Sequence, residues 1–313
     1  MTRAFVFPGQ GSQAVGMGRE LAAAFPAARH LFQEVDDALG QHLAKLMFEG
    51  PADELTLTEN AQPALMAVSL AVIRVLRQEG GMDVAKACAF VAGHSLGEYS
   101  ALAAAEALSV PVAARLLRTR GRAMQQAVPV GVGGMAALIG VDFAAAQAIA
   151  KEASEVGVCE TANDNAPGQV VVSGALAAVE RAVAIASGKG ARKCVMLPVS
   201  APFHCSLLVP AAEIMEEALA GADIESPVVP LIANVTAAPV EEAAEIRRLL
   251  VRQVTSTVRW RESVLAMKAL GVDTLVEVGA GKVLSGLARR IDRDLAAMAV
   301  GTPEDIEALV KTL

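Results

Sequence analysis

The chain has 313 residues, 54% hydrophobic and only 3% aromatic, with a formal net charge of −7. That length holds one large α/β domain with room for a smaller one, and the apolar fraction fills a sizeable core. The acidic balance, the scarce aromatics and the lack of any Lys/Arg-rich block exclude a base-stacking platform and leave nucleic acid outside the expected partners.

Cys88, Cys159, Cys194 and Cys205 are scattered, with no C-x-x-C pair. Neither a zinc site nor a disulfide framework is expected, and reduced thiols in a cytoplasmic protein are the reading. Met1-Thr2-Arg3 leads directly into Ala4–Phe7, too short an apolar stretch for a signal peptide. Residues 123–141 carry no charge, but Gln125, Gln126, Pro129 and the glycines at 131, 133, 134 and 140 break any spanning helix. No membrane association is expected.

Residues 4–7 read as a first buried strand, followed by Pro8-Gly9-Gln10-Gly11-Ser12-Gln13 and a helix start near Met17. Gly9, Gly11 and Ala14 fit G-x-G-x-x-A, but the next stretch, Arg29–Val35, has helical spacing, so no second strand ends in a ribose-binding acid. The loop is better read as presenting backbone N–H groups and Gln10 to a reacting centre. Residues 56–79 predict a helix, capped by Asn60 or Thr58, with Pro63 in its first turn and Leu65, Val68, Val72 and Leu76 on its core face.

An apolar run, Ala87–Ala92, then enters Gly93-His94-Ser95-Leu96-Gly97-Glu98, and Tyr99–Leu108 reads as helix. Strand, tight Gly-x-Ser-x-Gly turn and helix make a nucleophile elbow. The turn leaves no room for flanking side chains and strains the serine, which sits where free helix N–H groups can hold an oxyanion. Ser109 caps a further helix with Pro111 in its first turn. Arg118 and Arg122 share one face of it, while Arg120 points elsewhere and is a candidate anion clamp.

Residues 131–198 change character. Strands are predicted at Met135–Ile139, Val156–Ala162, Gln169–Ser173 and Lys193–Leu197, with helices from Asp142 to Glu155 and from Ala175 to Ser187 and a turn over Asn163–Gly168. The order β-α-β-β-α-β is that of a ferredoxin-like unit. Residues 198–210 read as an irregular loop bracketed by prolines. A strand at Val228–Ile232, helices near 241–254 and 260–270, and a last core strand at Thr274–Val278 follow. Gly281-Lys282 lacks the other positions of a P-loop, so phosphate cradling of that kind is rejected. The fold expectation is α/β. A large α/β-hydrolase-like domain with a parallel sheet core, residues 1–128 and 199–313, carries a ferredoxin-like domain, 129–198, inserted into it.

A serine hydroxyl needs a base. Of four histidines, His30 and His42 lie in a helical region and His94 is too close to Ser95 to turn toward it. His204, in the irregular loop, is the best base. No partner acid is evident, which speaks against an ordinary esterase layout, so a dyad oriented by a neutral acceptor is expected. Leu96 and the Gln10 loop are the expected oxyanion donors.

Phe7–Gln13, Gly93–Glu98, Arg120–Gln125, Asn163–Gln169, Phe203-His204, Val251-Arg252-Gln253 and Glu277–Leu284 together resemble the malonyl-CoA:acyl carrier protein transacylase family of fatty acid synthesis. The resemblance spans nearly the whole chain in order, including the insertion. It implies ping-pong transfer from malonyl-CoA to the phosphopantetheine thiol of acyl carrier protein through a malonyl-serine, with Ser95 as nucleophile and His204 as base. It implies that Arg120 pairs with the free malonyl carboxylate, that the Gln253 backbone carbonyl orients the histidine, that Gln10 belongs to the oxyanion loop, and that Phe203 and Asn165 bind substrate. Arg192, Lys193, Arg289 and Arg290 match basic positions for CoA phosphates or the carrier protein. No metal and no cofactor are implied, since malonyl-CoA is a substrate. Two departures are that Asp164 stands where many relatives carry an aromatic and that Ala280 replaces a common proline. The rival readings are a serine hydrolase or thioesterase, a standalone polyketide-type acyltransferase, and a non-catalytic carrier-binding module.

Overall fold

The structure, a computed structural model, describes residues 2–312. Met1 and Leu313, the outer ends of the expected large domain, lie outside the described residues. The first part of the chain runs β1 (Arg3–Phe7), α1 (Arg19–Ala24), α2 (Pro26–Leu39), α3 (Leu43–Glu49), α4 (Ala52–Thr56), α5 (Thr58–Gln78), α6 (Val84–Ala87), β2 (Phe90–Gly93), α7 (Gly97–Ala104) and α8 (Val110–Ala127). The insertion is β3 (Gly133–Ile139), α9 (Phe143–Ala153), β4 (Cys159–Ala166), β5 (Gln169–Ala175), α10 (Leu176–Gly188) and β6 (Lys193–Met196). The chain then continues with α11 (Val209–Ala220), β7 (Leu231–Ala233), β8 (Ala238–Val240), α12 (Ala243–Gln253), α13 (Trp260–Ala269), β9 (Thr274–Val278), α14 (Val283–Ile291), β10 (Ala296–Val300) and α15 (Pro303–Val310).

The protein is mixed α/β, with one largely parallel sheet and one antiparallel sheet. The six-stranded sheet has the order β10-β9-β1-β2-β7-β8, parallel throughout except at β8. Its central strands β1, β2 and β9 are almost wholly buried, as continuous apolar runs covered on both faces must be. The Gln10 loop leaves the carboxyl end of β1 and the elbow leaves the carboxyl end of the adjacent β2, so the parallel register sets them side by side. The four-stranded sheet has the order β4-β5-β3-β6, all antiparallel. Alternation along β3 sends Ala136 and Leu138 into a core with α9 and α10, and Met135 to the opposite side.

Several expectations are corrected. Neither Thr58 nor Asn60 caps α5, whose N-cap is Leu57 without a side-chain bond. Pro63 is the sixth helical residue and not in the first turn. Its missing N–H frees the Glu59 carbonyl, and Arg118 Nε donates to that oxygen at 2.9 Å, so the helix tolerates the proline. Ala87 is helical, and the strand before Ser95 begins only at Phe90. The second strand of the insertion begins at Cys159 rather than Val156. Asn163–Ala166 are strand, not turn; two register shifts, at 161/163 and 164/166, use the turn-forming residues to bend β4 and re-aim its side chains. β7 starts after Pro230, which cannot donate to a ladder. Thr274–Val278 is not the last strand, because β10 pairs outside it and α15 follows.

The glycine loop after β9 has no vacant phosphate cradle. Glu277, fully buried, accepts from Leu284 N at 3.0 Å and Ser285 N at 2.8 Å, so a carboxylate of the chain itself takes up the N-terminus of α14.

Candidate active site

Ser95 has φ 54° and His204 φ 61°, both in the left-handed region. Each costs about 1–3 kcal/mol and is held by its surroundings. At the elbow, a Cβ on Gly93 would lie 1.9 Å from the Gly97 carbonyl carbon, and one on Gly97 would lie 2.3 Å from Phe7 O. Only glycine fits at either position, as the spacing predicts.

Ser95 Oγ lies 2.8 Å from His204 Nε2. His204 Nδ1 lies 2.9 Å from the Gln253 carbonyl, which accepts its proton and fixes the tautomer that leaves Nε2 free to take the serine proton. The expected neutral acceptor is thus a main-chain oxygen. Burial, with the Arg120 charge, pushes the His204 imidazole down to about 3. A lowered value keeps the imidazole neutral, and so basic, on the acid side of pH 7. Acyl-serine formation followed by rapid quench is therefore expected to hold its rate between pH 7 and pH 5. A fall of roughly 25-fold over that range would return His204 to an unperturbed histidine.

Arg120 projects from α8 and is 1% exposed. Its Nη2 donates to Ser95 Oγ at 3.0 Å and to Gln253 Oε1 at 2.8 Å, and its Nη1 donates to Gln62 Oε1 at 2.9 Å. The guanidinium sits 5.9 Å over the Tyr99 ring. Nε has no partner, so the buried cation keeps unused donor capacity beside the serine.

Gln10, Leu96, Arg120, Phe203, Ser95 and His204 line one cleft of about 420 Å³. Leu96 is the N-cap position of α7, where backbone N–H groups are unpaired by the helix. Gln10 Nε2 donates to Thr58 Oγ1 at 3.3 Å. The insertion supplies Met135 and Asn163 to the other wall. Asn165 is turned to the elbow instead, its Oδ1 lying 2.8 Å from His94 Nε2. His94 lines the same cleft as Ser95 and is tied through Nε2 to the insertion. Arg192, Lys193, Arg289 and Arg290 are exposed and lie outside the cleft lining. Lys193 and Gln169 both pair with Ile139, and Arg290 Nη1 donates to Gln169 Oε1 at 2.8 Å, so two of the four meet at one end of the small sheet. Ile139 is four residues beyond Met135, about 13 Å along the strand.

Sequence reasoning missed Asn234, Glu98 and Gln62. Asn234, fully buried after β7, accepts from Ser95 N at 2.8 Å and donates to Gly93 O at 2.7 Å. Nothing in its local sequence marks it. Asn234→Ala orphans both backbone groups, and urea unfolding is expected to register a loss of about 1–3 kcal/mol for each. Among the described residues no cluster of three or more His, Cys, Asp or Glu is placed to hold a metal.

A charge buried against the nucleophile does not serve the neutral acyl chains of a general esterase. A buried guanidinium beside a serine oxygen can receive an acyl group that ends in an acid. The chain belongs to the acyl transferase domain family, matched over residues 4–299. It is 57% identical to an acyl-carrier-protein S-malonyltransferase from Bartonella henselae whose crystal structure superposes with a TM-score of 0.98, covering 100% of this chain and 99% of that one. It is 47% identical to the malonyl CoA-acyl carrier protein transacylase of Bacillus subtilis over 99% of this chain and 96% of that protein. A malonyl-transacylase solved in complex with its type II polyketide acyl carrier protein is 41% identical, with a TM-score of 0.96 and 100% of both chains covered.

Proposed function

We propose that the chain transfers malonyl from malonyl-CoA to the phosphopantetheine thiol of acyl carrier protein, supplying fatty acid synthesis. The observation that carries this reading is the Arg120 guanidinium 3.0 Å from the Ser95 oxygen. His204 Nε2 takes the Ser95 proton as Oγ attacks the thioester carbonyl. The tetrahedral oxyanion is met by N–H groups of Leu96 and the Gln10 loop. Collapse breaks the C–S bond, and His204 returns the proton to the CoA sulfur. The carrier thiol then gives its proton to His204, attacks the malonyl-serine and regenerates Ser95. Arg120 holds the malonyl carboxylate through donors that Gln62 and Gln253 leave free, and Phe203 shapes the acyl pocket. No cofactor takes part.

The architecture is an α/β-hydrolase-like domain, residues 1–128 and 199–313, with a ferredoxin-like insertion at 129–198. The strand order β4-β5-β3-β6 supports the second name. Asn165 acts on pantetheine at one remove, through His94. Arg192, Lys193, Arg289 and Arg290 receive CoA phosphates or the acidic carrier protein, leaving the pantetheine arm to reach Ser95. A cytoplasmic site accords with four free cysteines and with the absence, among the described residues, of a helix long and apolar enough to cross a membrane.

The test is intact-mass measurement. The protein should gain one malonyl group from malonyl-CoA and lose it to holo-carrier faster than to water. Release to water that outruns transfer would make the chain a thioesterase.

A further inference from the structure

Glu98, the last residue of the elbow hexapeptide, is 1% exposed and has no part in the steps above. One of its oxygens accepts from Asn234 N and the other from Gln253 Nε2. Those two partners reach the whole site. Asn234 Oδ1 accepts from Ser95 N, and Gln253 Nε2 also donates to Ser95 O at 2.9 Å. Gln253 Oε1 accepts from Arg120 Nη2, while its backbone oxygen holds His204. The Gln253 amide can stand only one way round: its oxygen faces a guanidinium donor and its nitrogen faces acceptors, Ser95 O, the Glu98 carboxylate and, at 3.5 Å, Asn234 Oδ1.

We infer that Glu98 is a positioning residue that sets the orientation of the Gln253 amide and thereby presents Arg120 to the acyl carboxylate. The inference rests on the malonyl-transfer reading. Both oxygens accept from N–H donors, which only the ionised carboxylate can do; the two donors and the Arg120 charge favour that form against burial, which pushes the group upward. A carboxylate kept in so dry a place with two donors on it serves a geometric purpose that an apolar residue of similar size lacks.

Glu98→Gln tests it. Whichever way the new amide turns, its NH2 group meets a donor, either the fixed N–H of Asn234 or Gln253 Nε2. Relief by turning the Gln253 amide sets an NH2 group against Arg120. A misplacement of about 1 Å at such a site costs on the order of 100-fold. The measurement is the rate of Ser95 acylation from malonyl-CoA and from acetyl-CoA, in wild type, Glu98→Gln, Gln253→Leu and the double variant. Expected is a malonyl rate lowered about 10- to 100-fold, an acetyl rate lowered less, and a double variant no slower than the slower single one. Equal loss for both acyl groups, or losses that multiply in the double variant, would overturn the positioning role. So would a malonyl rate per folded molecule equal to wild type. Should Glu98→Gln fail to fold, Glu98→Asp keeps the charge, shortens the reach by one methylene and carries the same comparison. A wild-type chain that takes no malonyl at all would instead sink the transfer reading and this one with it.

Discussion

Ser95→Ala is expected to take up no malonyl group and to lose about 10⁶-fold in transfer to holo-carrier. The alanine keeps the elbow geometry, the Asn234 bond to the backbone N–H of residue 95 and the neutral His204, so the loss isolates the oxygen. Circular dichroism and melting temperature should stay near wild type, because the serine contributes little apolar burial. The left-handed φ of 54° remains a strain for alanine, and a small drop in melting temperature is part of the expectation. Malonyl mass that persists in Ser95→Ala would move the nucleophile elsewhere.

Arg120→Ala carries the second large effect. Removing one partner of a desolvated charge pair costs about 2–5 kcal/mol, or roughly 30- to several-thousand-fold in malonyl transfer. Acetyl transfer should fall by much less, since acetyl brings no carboxylate. It should still fall, because Arg120 Nη2 also donates to Ser95 Oγ and the substitution strips that bond. Taking away the guanidinium removes one of the forces holding His204 down, so the acid limb of the acetyl reaction should move toward neutral pH. Steady-state rates for the two acyl-CoA substrates, each taken across pH, separate these effects. Equal losses for malonyl and acetyl would deny Arg120 a carboxylate-binding role.

How legible this site was depended on where the information lay. The elbow is local: two glycines, a serine, the strand before and the helix after lie within about fifteen residues, and the sterics that demand glycine at 93 and 97 act between near neighbours. The central strands β1 and β9 read correctly because continuous apolar runs need no partner to be recognised, whereas the apolar run before the elbow does not show that Ala87 closes a short helix. His204 emerged by elimination among four histidines. The group that orients it was harder to find, because a backbone carbonyl leaves no mark in the residue type; Gln253 was reachable only through the family resemblance. Glu98 is hard to single out from sequence, because the helix dipole gives any first-turn carboxylate a reason to be there. Asn163-Asp164-Asn165 was misread because turn formers also make bulges, and which of the two forms depends on the strand alongside. The β10 edge escaped because Ala296–Val300 is weakly apolar and half exposed.

The bend in β4 has one more consequence. Asp164 is 1% exposed and accepts from Arg261 Nε and Nη2, on a helix of the large part of the molecule. Around it, Asp164 N donates to Val258 O and Val258 N donates to Ala162 O. The insertion is a single stretch of sequence, so it invites exchange between relatives as a ready-made cassette for altering substrate choice. Yet grafting a foreign insertion would leave Arg261 without its acid. Moving this one into a host with no basic residue at that place would strand a buried carboxylate at a cost of about 3–5 kcal/mol. Modularity in this protein therefore has a boundary condition: any chimera has to carry positions 164 and 261 as a pair and keep the backbone pairing at 258, which any residue but proline can make.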